Sequence, residues 1–220
     1  MEHIKNIILT RYKLLSMLML SMTLSLVLLA IRMKLNQSFF FLFLVWNLFL
    51  AVIPFVITTY LREKEHLNKF VLMAWFGLWL LFLPNAPYIV TDLLHLRSSE
   101  HYLMWLDVLV VTSFAFNGLI VFFQSLMDME QILKNYVSKR WLFVVMCFVI
   151  FLTGFGMYLG RFLRYNSWEI IQHPSQLFTD TIDIAIHPTQ HMQAWVFTLT
   201  FGAFLYVGFG MIKSLRTNIS

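Results

Sequence analysis

Six long apolar runs constrain this chain more than any other feature of its sequence. The first of them, Leu14–Ile31, holds eighteen residues without a charge. At a rise of about 1.5 Å per residue, a helix of that length approaches the roughly 30 Å hydrocarbon core of a bilayer. Backbone polar groups in lipid must be satisfied internally, and a helix achieves this within one segment. We therefore predict an all-α protein, a polytopic membrane helical bundle.

The composition agrees with this fold class. Hydrophobic residues make up 60% of the 220 residues and charged residues 12%, whereas about a quarter of the residues in soluble domains are charged. The net charge of +5 is spread over several short loops, so we expect no nucleic-acid partner. The single cysteine, Cys147, excludes an intramolecular disulfide.

The six predicted transmembrane helices share their length and their lack of central charge. They cover residues 14–31, 39–61, 70–90, 104–126, 141–161 and 194–212. We interpret the first as a retained helix because it is longer than a signal-peptide core and lacks an A-x-A-like cleavage site. No long linker divides the chain, so we predict one integral membrane domain over residues 1–220. The sequence gives no indication of the oligomeric state.

The distribution of Lys and Arg predicts the orientation. The N-terminus, the second and fourth loops and the C-terminus hold eleven of these residues, and the other three loops hold five. By the positive-inside rule, both termini are then cytoplasmic. The loop after the third span and the end of the fifth span accordingly lie together on the extracytoplasmic side.

Two prolines interrupt the third span. Pro84 and Pro87 remove backbone donors, and we expect them to push Leu83 and Ala86 out of helical geometry. The third helix is therefore predicted to be broken at these prolines, with a shorter helix restarting over Tyr88–Leu96. Such a helix would bring the side chains of its polar positions onto one face. Those positions are Tyr88, Asp92 and His95.

Two stretches resemble the signature of a known family. They are LPNAPYIVTDLLHL at residues 83–96 and GMYLGRFLRYNSWE at residues 156–169. In length, helix count and motif order, the whole chain resembles an uncharacterised bacterial membrane family, domain of unknown function 1361. The resemblance implies a bacterial cytoplasmic membrane location and no particular activity. Glu169 departs from the pattern, in which an Asp is expected.

The second motif suggests an anion site. Arg161 and Arg164 could form forked, charge-assisted bonds to a phosphate, or they could simply extend to the lipid head groups. Asn85 is expected to cap the backbone at the break, with ligand contact as the alternative. We thus take six residues as candidates for binding a lipid or an anionic, lipid-linked ligand. They are Asn85, Tyr88, Arg161, Arg164, Asn166 and Glu169.

Asp92 and His95 are the candidate catalytic residues. A carboxylate can orient an imidazole and raise its basicity for general-base work, and a purely structural role is the alternative. A metal could bind to this pair, or to Asp183, His187 and His191, but no zinc signature is present. We therefore expect neither a metal site nor a cofactor.

Other polar residues of the spans have simpler explanations. Asn47 and Asn117 are expected to form hydrogen bonds between helices. Asp107 is expected to pair with Arg161 or Arg164. The spacing of Gly156 and Gly160 predicts a close approach of another helix.

The sequence leaves three functions open. The first is binding of a lipid or cell-envelope anionic group at an extracytoplasmic polar site. The second is a membrane enzyme, a transferase or hydrolase that acts on a lipid-linked substrate. The third is a small transporter or channel subunit, although no ionisable residue lies near the centre of any predicted span.

Overall fold

The computed structural model describes residues 2–64, 67–98, 101–165 and 174–217. Eight α-helices occur within these ranges, and six candidate membrane spans match the six predicted ones. The helices are α1 (Glu2–Asn36), α2 (Phe43–Arg62), α3 (Lys69–Phe82), α4 (Asn85–Tyr88), α5 (Met104–Leu133), α6 (Lys139–Phe162), α7 (Pro174–Ile186) and α8 (Met192–Thr217). The predicted all-α, polytopic helical bundle is confirmed.

The third span is broken as predicted, but its geometry differs from the expectation. After α3 and the single turn of α4, the chain continues as a 3₁₀ helix over Ile89–Ser98, and the whole candidate span extends from Lys69 to Arg97. Leu83 keeps right-handed helical angles, with φ −55° and ψ −41°, and Ala86 lies within α4. The prediction that the prolines push these two residues out of helical geometry was wrong, because missing amide donors interrupt the hydrogen bonds without redirecting the chain.

The central element of the bundle is α5, which packs against α1, α2, α4 and the 3₁₀ segment. Gly118 of α5 makes the close approach of the broken span possible. A Cβ atom at this position would collide with the carbonyl oxygen of Ala86 and would lie 3.3 Å from Cδ1 of Ile89. The break therefore packs directly against α5, the most buried of the candidate spans.

Hydrogen bonds between polar side chains connect the spans. Asn117 donates to Ser25 Oγ of α1 at 3.0 Å, and Trp79 Nε1 of α3 donates to Ser125 Oγ at 2.8 Å. Asn47 of α2 donates to Asp92 Oδ2 at 2.9 Å. The expected interhelical bonds of Asn47 and Asn117 are confirmed.

A buried ion pair joins α1 to α5 at the same end of the bundle as the break. Arg32 donates from Nε to Asp107 Oδ1 at 2.8 Å, and its guanidinium lies 4.6 Å from the centre of the Phe41 ring. Asp107 was expected to pair with Arg161 or Arg164, and this prediction was wrong. The spacing along the chain could not indicate that the end of α1 lies closer to Asp107 than the end of α6 does.

Candidate functional site

Asp92 is the centre of a polar network at the break. Its side chain is only 1% exposed, and it is one of three buried acids among the described residues. It accepts a hydrogen bond from Asn47 of α2 and another, at 3.0 Å, from Arg161 of α6. The carboxylate thus links α2, the 3₁₀ segment and α6, and both of its oxygens are occupied.

Arg161 is held by three groups of the broken span. Besides Asp92, its guanidinium donates to the backbone carbonyl of Thr91 at 2.8 Å and to the hydroxyl of Tyr88 at 3.4 Å. Its side chain is only 11% exposed. The structure therefore brings Arg161, Tyr88 and Asp92 together, as the two sequence motifs suggested, but the arginine is engaged by the protein itself.

His95 lies beside this network and not within it. Its Nε2 is 4.0 Å from Asp92 Oδ1, beyond hydrogen-bonding distance, and its side chain is 37% exposed. The ring packs against the rings of Phe43 and Phe40, with centroid distances of 5.0 and 5.8 Å. The 3₁₀ winding, with three residues per turn, places Asp92 and His95 in one row, so these two of the three residues predicted to share a face do so, while Tyr88 belongs to α4.

A cavity of about 390 Å³ opens between α2, α3, α4 and α6. We call it the break cavity. Its apolar lining includes Leu50, Leu80, Leu81, Leu152, Phe155 and Leu159. Its polar lining comes from Asn47, Asn85, Tyr88 and Tyr165. Asp92, His95 and Arg161 do not belong to the lining found among the described residues, so Asn47 and Tyr88 connect the network to the cavity.

Two glycines of α6 set one wall of the break cavity. A Cβ atom at Gly156 would lie 2.6 Å from Cγ of Pro84, and one at Gly160 would lie 3.3 Å from Cε2 of Tyr88. The close approach predicted from the Gly-x-x-x-Gly spacing is therefore confirmed, and its partner is the break itself. Across the cavity, a Cβ atom at Gly77 of α3 would meet nothing within 4 Å.

Asn85 satisfies the backbone at the break. Its side-chain nitrogen, Nδ2, donates to the carbonyl of Phe82 at 2.9 Å. The backbone amide of Ala86 donates to the carbonyl of Leu83. The expected capping role of Asn85 is thus observed at the end of α3. The side chain also lines the break cavity, so part of it faces the space where a ligand would lie.

The chain leaves α6 through a strained residue. Arg164 has φ 61°, in the left-handed region that costs a non-glycine residue about 1–2 kcal/mol. This turn lets the amide of Tyr165 donate to the carbonyl of Leu159 at 3.1 Å, and the Tyr165 hydroxyl donates to Asp180 of α7 at 2.6 Å. Arg164 itself is exposed, and no ion pair to it occurs within the described ranges. Asn166 and Glu169, the remaining candidates, lie outside the described residues.

The helix α7 was not predicted; Asp183 lies near its end, and His187 and His191 follow it in the chain. Asp183 lies 2.9 Å from Nδ1 of His187 and 2.8 Å from Nε2 of His191. The hydrogen bonds to His191 and His187 lower the pKa of Asp183 below its ordinary value. No group of three or more potential ligands arranged to hold a metal ion occurs in the described part of the chain. The three residues instead form an exposed hydrogen-bonded cluster.

A second charged network, which sequence reasoning missed, lies at the opposite end of the bundle. Asp128 of α5 is fully buried and accepts a forked pair of bonds, both of 2.6 Å, from Arg11 of α1. Arg62 of α2 donates to the same carboxylate at 2.8 Å. The signal in the sequence was an acid two residues after a predicted span, and only the fold reveals its partners.

These features define a class and then a family. Six helices that are long and apolar enough to cross a bilayer, joined by buried polar networks, describe a multi-pass helical membrane protein. The chain belongs to the family described as "Protein of unknown function (DUF1361)", which matches residues 46–207. That match includes both sequence motifs and confirms the resemblance. No curated protein and no solved structure matches the chain.

Proposed function

We propose that this protein binds a membrane amphiphile, a lipid or a lipid-linked carrier with an anionic head group, in the break cavity. The observation that carries the proposal is the cavity itself, apolar along most of its lining and polar where Asn47, Asn85 and Tyr88 meet. Its volume of about 390 Å³ falls within the roughly 300–1,000 Å³ of typical ligand pockets. An amphiphile matches both halves of this lining.

The head group is assigned to the Arg164 side of the cavity. Arg161 already has Asp92 as its counter-charge, so it contributes little free positive charge. Arg164 is exposed and directly precedes Tyr165, which lines the cavity. Arginine offers several donors in a planar fork that fits a phosphate. In this arrangement Arg161 positions Tyr88, and Arg164 meets the ligand.

The test uses glycine variants that fill the cavity without a collision. Gly77→Leu projects a side chain into open space beside the cavity that Gly77 lines, and Ala74→Leu, on the same helix but outside the lining, is its matched control. Native mass spectrometry of the purified protein should show a co-purified lipid that Gly77→Leu loses and Ala74→Leu keeps. Equal lipid occupancy in wild type and Gly77→Leu would refute the proposal.

The head group is tested separately. Arg164→Gln should weaken retention of an anionic phospholipid several-fold and of a zwitterionic phospholipid less, because the arginine is the counter-charge only of a head group with a net negative charge. Competition with inorganic phosphate then distinguishes a lipid head group from a soluble anion: displacement by millimolar phosphate would indicate a soluble ligand. Unchanged retention of both lipids by Arg164→Gln would refute the proposal that Arg164 contacts the head group.

We also propose a bacterial cytoplasmic membrane location with both termini cytoplasmic. The support is the excess of Lys and Arg at the Asp128 end of the bundle, together with the family. In a Cys147→Ser background, cysteines placed at Ser98 and Ser175 should react with an impermeant maleimide added to spheroplasts. A cysteine at Ser138 should not react, and the reverse pattern would invert the orientation.

A lipid-linked transferase or hydrolase is the second candidate function. The observation in its favour is the partly exposed imidazole of His95, 4.0 Å from a buried carboxylate. If the pair acts in catalysis, Asp92→Asn and His95→Gln should insert and fold, yet fail to rescue the phenotype of a deletion strain. Rescue by both variants would exclude this function and leave the binding proposal intact.

A further inference from the structure

A second and larger cavity lies at the opposite end of the bundle from the break. It has a volume of about 620 Å³ and opens between the C-terminal parts of α5 and α8 and the N-terminal half of α6. None of its lining residues is shared with the break cavity. We call it the lysine cavity, after Lys134, Lys139 and Lys213 in its lining.

The packing of α6 against α8 explains why this space exists. A Cβ atom at Gly154 would lie only 2.8 Å from the carbonyl oxygen of Thr198, so these two helices touch in the half of the bundle nearer the break. Further along α8, a Cβ atom at Gly210 would meet nothing within 4 Å. The helices therefore diverge towards the lysines and leave a gap.

The gap is lined by charged residues and by apolar residues. Three lysines and one acid, Glu130, surround it, and Lys213 Nζ donates to Glu130 Oε1 at 2.6 Å. The side chains of Lys134 and Lys139 are exposed. The rest of the lining is largely apolar and includes Met146, Cys147 and Ile150 of α6. The local formal charge is therefore positive even after the Glu130 pair is taken into account.

We propose that the lysine cavity binds one anionic phospholipid of the surrounding membrane. The phosphate would lie among Lys134, Lys139 and Lys213, and an acyl chain would run along Met146, Cys147 and Ile150. Lysine is a well-attested point-charge partner for phosphate, and basic pockets between membrane helices are a known setting for anionic head groups. A soluble anion would satisfy the lysines but would leave the apolar gap unfilled.

Cys147 provides a direct measurement, because it is the single cysteine of the chain and lines the cavity. The rate of its reaction with N-ethylmaleimide in detergent should fall several-fold when phosphatidylglycerol is added. Phosphatidylcholine should produce little change, and high salt should weaken the protection by screening the head group. Equal protection by the two lipids, or no protection by either, would overturn the proposal.

A matched pair of lysine variants isolates the charge. Lys134→Gln with Lys139→Gln should abolish the protection by phosphatidylglycerol. Lys13→Gln with Lys69→Gln removes two exposed lysines that do not line the cavity, so the protection should remain. If both double variants keep the protection, or both lose it, the assignment to these lysines is wrong.

Native mass spectrometry keeps the proposal independent of the break cavity. Gly210→Leu should displace bound phosphatidylglycerol while the amphiphile of the break cavity is retained. Gly77→Leu should have the opposite effect. A phosphatidylglycerol occupancy that Gly210→Leu leaves unchanged would overturn the lysine-cavity proposal, whatever the result for Gly77→Leu.

Discussion

The two ends of the bundle both hold a buried aspartate, but they use it differently. At one end, Asp128 is clamped by Arg11 and Arg62, which come from two regular helices. At the other end, Asp92 receives one arginine and one asparagine, and it lies on a 3₁₀ segment behind an interrupted helix. The Asp128 network therefore joins intact helices by a doubly paired charge, as the Arg32–Asp107 pair joins α1 to α5 at the other end, whereas the Asp92 network supports irregular backbone beside an open cavity.

This difference explains where a ligand site can form. Non-helical or interrupted backbone at membrane depth requires protein or a cavity around it to satisfy its polar groups. At the break, the side chains of Asn85, Thr91 and Arg161 donate to the backbone carbonyls of Phe82, Tyr88 and Thr91, respectively. Asn85 borders the cavity, and Thr91 and Arg161 contact Tyr88, which lines it. We expect the buried Asp128 network to govern stability and the Asp92 network to govern ligand binding in the break cavity.

The largest expected effect is at Asp128. Asp128→Ala removes the only carboxylate that Arg11 and Arg62 contact within the described residues. Removing one partner of a buried ion pair costs about 3–5 kcal/mol. The measurement is equilibrium unfolding in SDS mixed micelles, followed by far-UV circular dichroism. Glu130→Gln is the control, since its more exposed pair with Lys213 should contribute about 0–1 kcal/mol. Similar losses for both variants would contradict the comparison.

Asp92→Asn should have the next largest effect on stability. It keeps the shape of the side chain but leaves Arg161 without its counter-charge, at a cost of about 1–3 kcal/mol. The loss stays below that of Asp128→Ala because Arg161 retains the Thr91 carbonyl and the Tyr88 hydroxyl. The same SDS titration applies. His95→Gln is the matched control and should leave the free energy of unfolding nearly unchanged, because His95 forms no hydrogen bond to Asp92. A larger loss of stability for His95→Gln than for Asp92→Asn would show that the stabilising contact is not the one between Asp92 and Arg161.

A smaller effect is expected for the wall of the break cavity. Gly156→Ala places a methyl group 2.6 Å from the Pro84 ring, and overpacking typically costs about 1–3 kcal/mol. The gain in helix propensity from glycine to alanine offsets about 1 kcal/mol of this. Gly77→Ala, across the same cavity, meets no atom and should be neutral or stabilising by about 0.5–1 kcal/mol. Unfolding titrations in which Gly156→Ala and Gly77→Ala change the free energy of unfolding in the same direction would refute this account.

The smallest effect is expected at Asp183, at the break end but on an exposed surface. Hydrogen bonds from His191 and His187 lower the pKa of Asp183. Its contribution to stability is therefore present above the pKa of the unfolded chain, which is about 4. It is lost as the pH falls through the lower, folded value. Asp183→Asn should therefore lower stability slightly at pH 7 and remove the same small amount from its decline as the pH falls below about 4. A large loss at pH 7 would show that the cluster is structural.

The sequence predicted most of the fold because apolar run length alone locates membrane spans. It also located the break, since proline lacks an amide donor, and the close approach at Gly156 and Gly160. The partners of the charged residues could not be predicted. Arg11 and Asp128 are 117 positions apart, and periodicity gives the face of a helix without naming the helix it meets. The error for Asp107 has the same origin.

The candidate site was predicted less completely than the fold. Both motifs correctly directed attention to Tyr88, Asp92 and Arg161, which do meet. Nothing in the sequence indicated that Arg161 would be engaged by Asp92 and by a backbone carbonyl. The 3₁₀ winding was also not predictable, because the residues after Pro87 have no pattern that separates it from an α-helix.

That winding has a mechanical consequence. The 3₁₀ segment spans ten residues and rises about 2.0 Å per residue, compared with about 1.5 Å in an α-helix, so rewinding it as α would shorten it by about 5 Å. Over the three steps from Asp92 to His95, the same change would rotate the imidazole by about 60° relative to the carboxylate. The length of the segment and the orientation of His95 relative to Asp92 therefore change together. A displacement of the chain beyond Ser98 towards the break, which shortens the segment, would therefore turn His95, whereas a pull would preserve the present arrangement.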